Sequence, residues 1–139
     1  MDICSSLTNR ITKMKKIKIA YWATTLVFCL FMLFSATMYF ANEEIKATFG
    51  HLGYPDYFRV QLGIAKYLGV AVLLIPGLPK VLKIFAYSGF TINMISAFIA
   101  HMAVGDPIQD SITPLFLLIV LGLSYRFMNR LNQHSEANS

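Results

Sequence analysis

Lys66, Asn93, His101 and Asp106 are the residues whose type and placement could carry chemistry. Lys66 stands inside the apolar run FRVQLGIAKYLGVAVLLI of residues 58–75, with Gly63 and Gly69 one helical step to either side. An ammonium on a membrane-crossing helix costs from about 3 to more than 10 kcal/mol at the bilayer centre, so either another helix, a carboxylate or a wet cavity meets it, or its stem snorkels to the outer headgroups. Asn93 and His101 lie on the next apolar run, and Asp106 follows at its end. Donors of this kind suit the polar end of a small amphipathic molecule, such as a quinone or a lipid, whose tail stays in hydrocarbon. The expected ligand pocket therefore comprises Lys66, Asn93, His101, Asp106 and Gly63, with Glu43 and Glu44 on its rim.

Other chemistries lack their residues. No His, Cys, Asp or Glu cluster has zinc-ligand spacing, and no Gly-rich phosphate loop or Ser/His/Asp set is present. A haem held in the membrane by two histidines needs a second one beside His101, whereas His51 falls in a connection and His134 in the tail. Cys4 and Cys29 have no Cys-x-x-Cys partner, which argues against a dithiol enzyme. Small multidrug exporters of this size rely on a glutamate in their first span, and the first apolar run here has no acid. No catalytic residue, metal or evident cofactor is expected; a quinone is the one cofactor-like molecule the pocket suggests.

The elements that position these groups follow from composition. Of 139 residues, 56% are hydrophobic and only 14% charged, against about 25% charged in soluble domains. The chain is too poor in polar surface to face water all round. Four runs reach or approach the roughly 20 apolar residues that cross a bilayer: residues 17–40, 58–75, 82–104 and 112–128. The expected fold is all-α, a four-transmembrane-helix bundle, with a basic tail over residues 1–16 and a polar tail over 129–139. The tight Pro76-Gly77-Leu78-Pro79 link makes the second and third spans antiparallel neighbours. Pro114 is expected in the first turn of the fourth span, where its missing N–H costs nothing.

Charge sets the expected orientation. Arg10, Lys13, Lys15, Lys16, Lys18, Lys80, Lys83, Arg126 and Arg130 share one side, against only Lys46 and Arg59 on the other. The positive-inside rule then places both termini in the cytoplasm of a multi-pass cell-membrane protein. Basic residues at span ends, rather than in a stripe interleaved with aromatics, argue against nucleic acid despite a pI near 9.3. In the first outer loop, Ile45, Phe49 and Leu52 recur at helical spacing, which predicts a short amphipathic helix over the bundle mouth, stopping at Gly53 and Pro55.

Three stretches in order, FGHLGYPDYF, LGIAKYLGVAVLLIPGLPK and FAYSGFTINMISAFIAHMAVGD, resemble the DoxX-like family of small four-helix membrane proteins. The resemblance spans residues 17–125 and implies that Lys66, His101 and Asp106 occupy the family's recurring polar positions. The chain departs at Asn93, where relatives commonly carry an acid, and at Ile84-Phe85, where many carry Glu-Trp. The first departure weakens any role that needs a carboxylate deep in the third span. The family is named for a subunit of a thiosulfate:quinone oxidoreductase, so the resemblance also admits a redox protein as partner. Besides a ligand-binding protein of the bilayer, the alternatives are a non-catalytic membrane subunit of a quinone-linked oxidoreductase, a structural membrane protein and a small transporter.

Overall fold

The structure, a computed structural model, describes residues 2–137. Five helices follow one another: α1 (Asp2–Ala41), α2 (Glu43–His51), α3 (Asp56–Leu74), α4 (Lys80–Val104) and α5 (Ile108–Glu136). All but the short α2 are long and apolar enough to cross a membrane. An even number of crossings puts the start of α1 and the end of α5 at one end of the bundle, with α2 and the α4–α5 turn at the other.

The four long helices close a ring. α1 packs chiefly on α3 and α5, α4 packs on α5, and a smaller contact between α3 and α4 completes the circuit. Phe28, Met32, Leu73, Phe90, Met94 and Leu121 fill its centre, and Phe28 meets Phe90 edge-on at 5.1 Å between centroids. The outward faces stay apolar: Leu30, Phe34, Leu68, Phe85, Phe116 and Ile119 are all exposed. So much hydrocarbon surface suits lipid rather than water.

Close approach of α3 depends on two small positions. A Cβ on Gly69 would lie 2.7 Å from the buried Phe90 ring, and one on Gly63 would lie 2.6 Å from the Phe40 ring. At the chain-terminal end, a polar chain ties three helices together. Ser124 of α5 meets Thr25 of α1 at 2.7 Å and the Tyr87 hydroxyl of α4 at 2.6 Å. All three residues are buried, so each hydroxyl must find its partner inside the protein.

Helix ends differ from the sequence expectation in two ways. No Gly or Pro interrupts residues 2–16 or 129–136, and α1 and α5 run as helices through both polar ends. The longer α5 also changes the setting of Pro114. Six residues precede it in the helix, so it lies beyond the first turn. Its ring removes the N–H that would have bonded the Asp110 carbonyl.

Candidate functional site

Asn42 starts α2 by accepting the Glu44 N–H on its side-chain oxygen at 2.8 Å, a regular N-cap. From that start Ile45, Thr48, Phe49 and Leu52 turn inward. Glu43 and Glu44 are exposed on the opposite side, Glu43 within 4.0 Å of Lys46. Beneath α2, between α3 and α4 with α1 and α5 as flanks, lies a cavity of about 880 Å³. Its walls are largely apolar, including Phe31, Met32, Leu62, Ile92 and Leu117, and its polar groups gather at two levels.

The deep level is centred on Lys66, only 4% exposed. Its Nζ donates to the Tyr39 hydroxyl at 2.7 Å and to Ser35 Oγ at 3.0 Å. It also sits 4.1 Å from the centroid of the Tyr39 ring, within cation–π range. Both partners belong to α1, four residues apart and so on one helical face. No carboxylate pairs with Lys66 among the described residues. Asn93 lines the same cavity, with its Oδ1 buried and without a partner. A smaller cleft of about 190 Å³ along the α3–α4 seam also touches Lys66 and Asn93.

The second level lies at the α2 end. α4 stops at Gly105, whose φ of +78 is the left-handed value that glycine adopts without strain. The Asp106 N–H then bonds back to the His101 carbonyl at 3.1 Å, the six-residue closure of a Schellman turn. That turn swings the Asp106 carboxylate onto the ring of His101, 2.7 Å from Nδ1. Its other oxygen lies 3.1 Å from Nε2 of His51, at the end of α2. One carboxylate thus straps α2 to the end of α4. At 1.5 Å per residue, His101 stands about 12 Å along α4 from Asn93, so Lys66 and His101 do not touch one ligand atom together.

The expected site residues therefore separate. Lys66, Asn93, His101 and Asp106 all line the cavity, but in two groups. Gly63 faces Phe40 and is not part of the lining, and neither Glu43 nor Glu44 borders the mouth. Ser35, Tyr39 and His51 escaped the sequence reading. The signal for the first two was present: they share a face of the first span at the depth of Lys66. No group of three or more metal-capable side chains forms among the described residues.

His101 beside Asp106 holds its carboxyl below the usual carboxylate range; partial burial opposes this and His51 reinforces it. A depressed carboxylate stabilises the fold above its ordinary pKa, about 3.9, and loses that contribution as pH falls through the lower folded value. Hydrogen exchange of residues 43–51 should stay slow from pH 7 to 5 and lose protection only below about pH 4. Asp106→Asn should abolish that protection step.

The profile of the DoxX-like family matches residues 23–124, which contain every group lining the cavity. The chain belongs to the DoxX-like family. No curated protein and no solved structure matches it. For this DoxX-like protein, four apolar helices and family membership agree on a multipass membrane protein. The match ends before the polar end of α5 and begins after the basic start of α1, so the shared unit is the ring and its cavity.

Proposed function

We propose that this DoxX-like protein binds a small amphipathic molecule, quinone-like or lipid-like, in the cavity beneath α2. The supporting observation is Lys66, a buried cation facing a large cavity with only neutral partners. A fold gains nothing in stability from such a group; an apolar residue would serve packing better. Its retention is explained if an acceptor on a ligand completes its coordination, while Phe31, Leu62, Ile92 and Leu117 enclose hydrocarbon. The charge asymmetry of the sequence supports termini in the cytoplasm and a cavity in the outer half of a cell membrane.

Extraction tests this. Protein purified in mild detergent should release a near-stoichiometric amphiphile, identified by mass spectrometry, that Lys66→Met protein lacks. Release of only bulk lipid, in equal amounts from both, would contradict the reading.

A further inference from the structure

The ligand's chemical class can be narrowed from what surrounds Lys66, on the condition that the cavity is a ligand site as proposed above. We infer that the cavity selects an amphiphile with an anionic head, a single-chain carboxylate, over neutral or cationic amphiphiles of the same length. An ammonium offers three N–H donors. Two are taken by Ser35 and Tyr39, and the Tyr39 ring covers one side. Each of these partners is neutral. The third N–H remains for something in the cavity to satisfy, and no acid among the described residues stands beside the nitrogen to hold its proton.

Groups elsewhere on the cavity wall do not supply that counter-charge. Asp106 is bound by His101 and His51 at the α2 end, and His101 stands about 12 Å along α4 from Asn93, which lines the cavity beside Lys66. Asp110 also borders the cavity, from the first turn of α5 at that same end. Acids stand near the mouth, then, and an unpaired cation at the floor. A carboxylate seated on Lys66 forms a charge-assisted hydrogen bond in a water-poor site, where such pairs are strongest. A neutral carbonyl would accept the hydrogen bond but leave the charge uncompensated. A cationic head would be repelled by Lys66.

The test compares decanoate, 1-decanol, decylamine and decylubiquinone, each titrated into phosphatidylcholine nanodiscs carrying the full chain, with bound ligand counted by native mass spectrometry. Decanoate should bind at least tenfold more tightly than decanol, and decylamine should not bind. In Lys66→Met and Lys66→Gln, the preference for decanoate over decanol should vanish, whatever affinity the apolar walls leave to each. Equal binding of decanoate and decanol by the wild type, or tighter binding of decylubiquinone, would overturn the anionic class and leave the cavity standing as a ligand site. Saturable binding of none of the four would overturn both. Adding phosphatidylglycerol identifies the source of the anion: displacement of decanoate marks a membrane lipid headgroup, and no displacement marks a free acid.

Discussion

Lys66→Met should unfold later than the wild type, by about 1–3 kcal/mol, while losing its bound amphiphile. Methionine matches the length of the lysine stem and fills irregular space well, and it removes a buried charge that has no acid beside it. Replacing buried ionic groups by apolar side chains of similar volume is commonly neutral or stabilising by about 1–4 kcal/mol. The hydroxyls left behind limit the gain. Ser35 can turn to the carbonyl one helical turn back, and Tyr39 faces a cavity wide enough for water. Denaturation in detergent micelles reads the difference. A stabilised variant without ligand marks a residue kept for function at the expense of stability.

Tyr39→Leu should have the opposite sign and the larger size, a loss of about 3–5 kcal/mol. The change removes the 2.7 Å hydrogen bond and the ring face over Nζ, together with the edge contact to Phe49 at 4.9 Å between centroids. Breaking the support of a buried charge costs far more than the support is worth as an isolated bond, because the charge stays where it is. Tyr39→Phe keeps the ring and should lose about 1.5–3 kcal/mol, the range for a hydrogen bond to a charged group. Loss of the Phe49 contact should also loosen α2, since Phe49 is the residue that α2 buries.

The spans and the inward face of α2 were legible because hydropathy and helical periodicity are properties of the local sequence. Lys66 stood out for the same reason: a cation in an apolar run has a cost that can be read without coordinates. Its partners were not legible. The Pro76-to-Pro79 link makes α3 and α4 neighbours, and that directs attention from Lys66 toward His101. Adjacency fixes neither the rotation of α3 about its axis nor the ring order, which sets α1 against α3 over a more extensive contact. Rotation carries Lys66 to Ser35 and Tyr39, leaving His101 to Asp106.

The rim shows the same limit. Glu43 and Glu44 sit beside the mouth in sequence, but the periodicity of Ile45, Phe49 and Leu52 turns them away and brings His51 in. Asp106 was singled out from its type and place; its contact with His101 depends on the left-handed turn at Gly105, visible in sequence only as the Gly-Asp pair after the helix. Hydropathy alone starts the fourth span at residue 112 and so puts Pro114 in its first turn, whereas Pro107 caps α5 and the helix begins before that run, at Ile108.

The most direct test is a double-mutant cycle between Tyr39 and Lys66, using the unfolding free energies of Tyr39→Leu, Lys66→Met and the pair. With a sheltered ammonium resting on the tyrosine, most of the Tyr39→Leu penalty should vanish once Lys66 is methionine, giving a coupling of at least about 2 kcal/mol. Additivity within about 0.5 kcal/mol would mean that the two side chains do not meet, and Lys66 would no longer define the floor of a binding cavity.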